Sequence, residues 1–391
     1  MIRNLIKLGV LGLIAITSCE KANKEIVKSI DIQLDYHFDT VIIERNDHFL
    51  FLNMGLTMSD FSEYDNKLYN LNPYNGEVEV IDILKGELTE VIQYDFDGPN
   101  SIRTLFTSGI KKGSNGNVFF LDQYIVHVLD SSNNKISSVR IDKSFLSGDR
   151  LPDKVDMDPM GKISATGSKY VTFYREFPEI GGRLLGIAIV DLVSLSLKII
   201  PIESLNDLNE FDIRLKIGDE IKRTSSASNY ISWHESNVII SNSVRNEVLY
   251  YDYSKDSLSH LFFTSSFTSD SNSKRNLIAN NDEESFDNMV SDKFDKVNFG
   301  PIIQDSKNGL FYRFSQEHSG YVNGEKNYKH VLAIFDKNFS LIHEEMLNIN
   351  GTNSFRLFFG KSFFIDNILY CYLNINDEMA FVRLHFNFNN L

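Results

Sequence analysis

Six times along the chain a short apolar strand runs up to an Asp or Asn, crosses a polar turn and, except at the sixth, resumes as a second apolar strand. The segments are KLYNLNPYNGEVEVIDI, IVHVLDSSNNKISSVRI, IAIVDLVSLSLKIIPI, VLYYDYSKDSLSHLFF, VLAIFDKNFSLIHEEML and the shortened AFVRLHFNFNNL. Their marker residues, Asn72, Asp130, Asp191, Asp252, Asp336 and Asn387, lie 58, 61, 61, 84 and 51 residues apart. Each segment reads as a β-hairpin, because β-branched and aromatic side chains suit a pleated surface and a turn Asp or Asn can accept from the amides that follow. Further apolar runs such as GNVFFLD, KYVTFYR, SNVIISN, NGLFYRF and DNILYCYL precede the hairpins. Three or four strands repeated six times predict an all-β chain folded as a six-bladed β-propeller. Aromatic residues on both faces of the long runs predict sheets packed face to face.

The sixth unit breaks off after Ile368–Leu373 and Phe381–Phe386, which match second and third strands elsewhere. An open edge there invites aggregation, so the alternating segment Ile30-Asp31-Ile32-Gln33-Leu34 is predicted to pair beside the last strand and close the ring. The 84-residue interval contains SNSKRNLIANNDEESFDNMVSDKFDKV, where Phe286, Met289, Val290, Phe294 and Val297 recur at helical spacing. Asn281 with Glu284 offers a capping box, and acids lead while Lys293 and Lys296 trail, which predicts a helix over 282–296. That helix either packs on the outside or covers a mouth of the channel. The polar stretch ESLNDLNEFDIRLKIGDEIKRTSSASN reads as a long loop with one short amphipathic piece. No composition break divides residues 29–391, so they are read as one propeller domain.

The first residues read differently. Arg3 and Lys7 precede nine apolar residues, Leu8 to Ile16, which is the layout of a secretory signal and about half of what a bilayer core requires. Ile16-Thr17-Ser18-Cys19 resembles the bacterial lipobox. The resemblance implies cleavage after residue 18, a diacylglycerol on the Cys19 thiol and a third chain on its amine, enough for stable anchoring. Residues 1–18 are then a signal peptide and 19–28 a solvated tether. Loss of Arg3 and Lys7 takes the net charge from −14 to −16. So acidic a surface repels phosphate backbones and anionic headgroups, which excludes nucleic acid as a partner and leaves membrane attachment to the lipid. The only other cysteine, Cys371, sits in ILYCYLNI and reads as a buried inert thiol; no internal disulfide is expected.

No nucleophile elbow, phosphate loop, dinucleotide fingerprint or paired C-x-x-C occurs, and His234-Glu235 and His343-Glu344 lack the second histidine of zinc proteases. Asp156-x-Asp158 before Gly161 mimics a calcium loop, but its twelfth position is Gly167, which has no side chain to coordinate with. No metal and no cofactor are therefore expected. Phe-Tyr-Arg occurs twice, ending at Arg175 and at Arg313. A strand arginine between aromatics either grips a carboxylate at the channel mouth or bridges neighbouring blades. Trp233-His234, with the only tryptophan, is either a platform for a sugar ring or part of the core.

The segments NFGPIIQDSKNGLFYRFSQE and HVLAIFDKNFSLIHEE, together with the lipobox, resemble Bacteroidota lipoproteins of the domain-of-unknown-function family 4221, which carry a similar YYRF strand and hairpin. The resemblance implies a six-bladed, propeller-like fold at the outer membrane. It brings no catalytic residue; Arg313 is the one position carried over as recurrent. The expected function is a lipid-anchored binding module for a glycan, a peptide or an envelope protein, facing either the periplasm or the exterior. The competing expectation is a glycan lyase or hydrolase with paired carboxylates at the propeller mouth.

Overall fold

A computed structural model of the protein describes residues 33–102, 107–176, 182–348 and 359–389. The expected signal peptide, Cys19 and the expected tether lie outside the described residues. What is described is predominantly β, in seven sheets. The first has strands Ser59–Ser62, Lys67–Asn72, Glu77–Asp82 and Glu87–Gln93. The second has Thr107–Lys112, Val118–Asp122, Ile125–Leu129 and Lys135–Arg140. In the third, Lys169–Glu176 pairs with both Val155–Met157 and Lys162–Ile163 on one side and with Leu184–Asp191 on the other; Ser196–Pro201 follows, with Ser147–Gly148 at its edge. The fourth runs Asn229–His234, Asn237–Asn242, Glu247–Asp252 and Ser257–Phe262, and the fifth Asn298–Asp305, Leu310–Val322, Glu325–Phe335 and Leu341–Leu347.

The sixth sheet joins the two ends of the chain. Ser362–Ile365, Ile368–Ile375 and Glu378–Asn389 are completed by Gln33–Ile42, antiparallel to the last of them from Gln33 opposite Asn389 to Ile42 opposite Ala380. The pairing strand thus begins near the end of the segment expected for it and continues well past it.

Because side chains alternate across a strand, one strand feeds two cores. In Lys169–Glu176, Tyr170 and Tyr174 pack with Phe119 and Val126 of the second sheet, whereas Val171 and Phe173 pack with Val238 and Ile240 of the fourth. Each sheet shares an apolar cluster with the next in chain order, and Phe363 and Phe381 of the sixth pack against Phe61 and Leu68 of the first. Phe61 and Phe363 stack at 4.0 Å between ring centroids.

The turn chemistry holds at five markers, whose side-chain oxygens accept the amide two residues on: Asn72 from Tyr74, Asp130 from Ser132, Asp191 from Val193, Asp252 from Ser254 and Asp336 from Asn338. The phase of the first unit is corrected. KLYNLN and EVEVID are second and third strands of their sheet, while the next four hairpins are third and fourth strands. The counterpart of Asp130 is therefore Asp82, and Asn387 marks no turn, because its strand runs on to Asn389.

The polar stretch after residue 202 is not a loop. It holds a helical turn at Glu203–Asn206, a 3₁₀ turn at Asp207–Phe211 and a hairpin, Ile213–Ile217 with Glu220–Ser225. Leu277–Asn280, from the long interval, adds a parallel third strand to that hairpin, and helix Glu283–Phe294 packs on the result through Phe286, Met289 and Val290. Two insertions on either side of the fourth sheet thus build one small layer. The helix is capped by Asp282, which accepts from Ser285 N at 2.9 Å, and not by Asn281. Asn281 has a positive φ of 51° and accepts from Gly218 N instead. Phe294 falls off the apolar face and is 43% exposed.

Candidate functional site

The first strands of the six larger sheets, or residues beside them, meet at one cavity of about 860 Å³. Ser59–Ser62, Thr107–Lys112, Lys162–Ile163 and Asn229–His234 contribute lining residues, as do Gln304 of Asn298–Asp305 and Lys361 beside Ser362–Ile365. Four of these groups form a charged cluster. Lys111 Nζ lies 3.2 Å from the Asp60 carboxylate, which also accepts from Lys112 N at 3.0 Å. Lys361 Nζ donates to Ser59 O, next to Asp60, at 2.8 Å.

Lys162 completes the cluster from the third sheet. A side chain at Gly161 would drive its Cβ to 2.3 Å from the Tyr170 ring and 2.4 Å from Val171 O. Glycine therefore lets the chain press against Tyr170, whose hydroxyl accepts from Gly161 N and donates to Asp158 O. The Lys162 carbonyl accepts from Trp233 Nε1 at 2.8 Å, which ties this strand to the fourth sheet. Its ammonium makes no hydrogen bond or ion pair among the described residues, and its exposure is toward the cavity, with protein atoms crowded around it.

Burial pushes Lys361 down to about 8, with Lys162 and Lys111 lowering it further and Asp60 opposing them. Burial likewise lowers Lys162, against the pull of Asp60 and with the push of Lys111. Three ammonium groups thus share one carboxylate, and the charge of Lys111 makes both Lys162 and Lys361 harder to charge. Glu63, Glu235 and Lys337 line the same cavity from turns.

Trp233 and His234 both line the cavity. Trp233 is committed at its indole N–H. His234 stands edge-on to Phe311 at 5.0 Å, and its Nδ1 is buried without a hydrogen-bond partner among the described residues. The two arginines are elsewhere. They lie in second strands, whose side chains meet neighbouring sheets and not the cavity. Arg175 forks onto Asp158, with Nε to Oδ1 at 2.7 Å. Arg313 is 2% exposed and gives all five N–H groups to the protein. Its acceptors are Gly300 O in its own sheet and Asn242 O, Arg245 O, Asn246 Oδ1 and Glu247 O in the fourth, so it bridges sheets and keeps no donor for a ligand.

Among the described residues no three His, Cys, Asp or Glu side chains gather to hold a metal ion. Cys371 is buried, and burial pushes its thiol up to about 12, which leaves it unreactive. The lysine cluster is what the sequence did not single out. The available signal was glycine just ahead of each lysine, in Gly109-Ile110-Lys111, Gly161-Lys162 and Gly360-Lys361, at matching places in three units.

The family described as Domain of unknown function (DUF4221) matches residues 29–346. A crystal structure of a member of that family from Bacteroides vulgatus superposes with a TM-score of 0.63 at 14% identity, covering 93% of this chain and 100% of that one. A crystal structure described as an exported protein from Bacteroides fragilis gives 0.47 at 10% identity, covering 90% and 95%. No curated protein matches this chain in sequence.

Proposed function

Because this chain belongs to the DUF4221 family, whose description assigns no activity, we propose its function from the geometry: it is a cell-envelope binding module that takes an anionic ligand in its central cavity. The six larger sheets are the blades of a β-propeller, closed where Gln33–Ile42 pairs with Glu378–Asn389, and the cavity lies on its axis. Cys19 moors the module to the outer membrane by lipid. The ligand is a carboxylate-bearing glycan or peptide.

One observation carries the reading: Lys111, Lys162 and Lys361 converge on a single Asp60 in a protein of net charge −14. The net field of so acidic a protein repels anions, so a cavity with excess ammonium groups is where one would be held. The convergence of Lys111, Lys162 and Lys361 favours holding an anionic ligand, while Glu63 and Glu235 also line the cavity.

The test is a glycan and peptide array probed with the full chain in a neutral detergent, beside Lys162→Met. Retention of acidic glycans or carboxylate-terminated peptides by the natural chain, and its loss in the variant, is expected. Equal retention by both proteins, or retention of neutral ligands only, would overturn it.

A further inference from the structure

We infer that the axial cavity is built for a ligand presenting two carboxylates together, and that it takes up a proton as that ligand enters. The inference rests on the reading of the cavity as an anion site and goes further by fixing the charge of the ligand and the linkage.

The count of charges comes first. Lys111 already has its counter-ion, with Nζ 3.2 Å from Asp60. Asp60 also accepts from Lys112 N. Lys361 Nζ has only a neutral partner, the Ser59 carbonyl, and Lys162 Nζ has none among the described residues. Around Asp60, two ammonium groups from two different sheets therefore face the cavity with no carboxylate bonded to them; Glu63, Glu235 and Lys337 line it from turns and are not among the charges that act on either lysine. A single carboxylate entering the cavity would leave one of them uncompensated; two carboxylates complete the set. A cavity of about 860 Å³ has room for both and for the body that carries them.

The linkage follows from the same crowding. The charged and titratable groups on this cavity are Asp60, Glu63 and Tyr64 from the first sheet, Lys111 and Lys112 from the second, Lys162 from the third, His234 and Glu235 from the fourth, Lys337 from the fifth and Lys361 from the sixth. Lys112 turns away to Gly116 O at 2.7 Å. In the empty cavity Lys361 loses its proton near pH 8. An entering dianion favours the ammonium form and draws the proton back from water. Affinity is therefore full below pH 8 and falls above it; Lys361 alone makes binding about tenfold weaker at pH 9 than at pH 7. Folding of the empty protein moves the other way. Its depressed ammonium gains relative stability as pH rises from about 8 toward the ordinary lysine value.

Malonate is the probe for two carboxylates and acetate for one, titrated calorimetrically at matched ionic strength into the full chain in neutral detergent. Runs in two buffers of different ionisation enthalpy at pH 8.5 give the protons taken up. Malonate should bind at least tenfold tighter than acetate, with net proton uptake and the stated loss at pH 9. Lys162→Met and Lys361→Met should each weaken malonate at least tenfold, with the melting temperature held or raised because a confined charge is gone. Equal affinity for the two probes, no proton uptake, or variants that bind malonate normally would overturn the inference while leaving an array result for single carboxylates intact. An array that retains only neutral ligands would remove the underlying reading instead.

Discussion

Arg313 shows how one side chain can look like a ligand grip and be a structural clamp. Its guanidinium has four backbone carbonyls and Asn246 Oδ1 as acceptors and stands 4.7 Å over the Phe299 ring. Burial lowers it to about 10, so it remains charged at neutral pH. Arg313→Ala leaves those acceptors buried without donors, and an uncompensated site of this kind costs on the order of 3–5 kcal/mol. Urea unfolding should show that loss as a lower midpoint at an unchanged slope, with Arg313→Lys recovering part of it because lysine lacks the planar fork. A midpoint within error of the natural chain would refute the clamp. Arg175, in the same tripeptide, pairs with Asp158 where both side chains are partly exposed, so Arg175→Ala should cost no more than about 1 kcal/mol. The sequence made the shared motif visible but not this difference in fate. That depends on which loop of the next sheet arrives beside each arginine, and the 242–247 loop has no counterpart readable from the tripeptide.

The strands that were legible are those buried on both faces. Apolar runs such as VFFLD and FYRF mark second strands, and the hairpins mark third and fourth ones, because packing between two sheets demands apolar residues on both sides. The first strands escaped notice for the opposite reason: SDFS, TSGIKK and KI face a polar cavity and carry no apolar run. The lysines of the site were thus hidden by the same physics that made the fold readable, whereas Trp233 and His234, which also line the cavity, were visible as the chain's only Trp beside a His. The closing strand was legible through its alternation, and its contribution can be measured. Gln33–Ile42 pairs with ten residues of the last strand and puts Leu34 into a core with Phe386 and Leu384. Deleting 33–42 exposes a long unpaired edge, so the melting temperature should fall by at least 10 °C with larger species on gel filtration. A synthetic peptide of the same ten residues should restore both. An unchanged melting temperature after the deletion would show that the last strand needs no neighbour from the front of the chain.

The proposed anchor and the cavity make opposite demands on charge, and the two can be separated by experiment. A chain of net −14 gains nothing from an anionic membrane surface, and no helix among the described residues is long and apolar enough to cross a membrane. The proposed attachment is through Cys19, where two ester-linked chains and one amide-linked chain would supply the multiple acyl groups that lasting anchorage requires. Because the described fold begins at residue 33, losing the lipid should leave folding and cavity untouched. Cys19→Ser should therefore abolish labelling by radioactive palmitate and move the protein out of the outer-membrane fraction, while the Lys361-dependent pH profile of malonate binding stays the same. A variant that still fractionates with the outer membrane would mean that a protein surface does the mooring. One that leaves the membrane but loses malonate binding would mean that the front of the chain reaches the cavity. The expected separation of the two effects is what a tethered module would require, with the proposed lipid setting the address and the cavity lysines the proposed ligand.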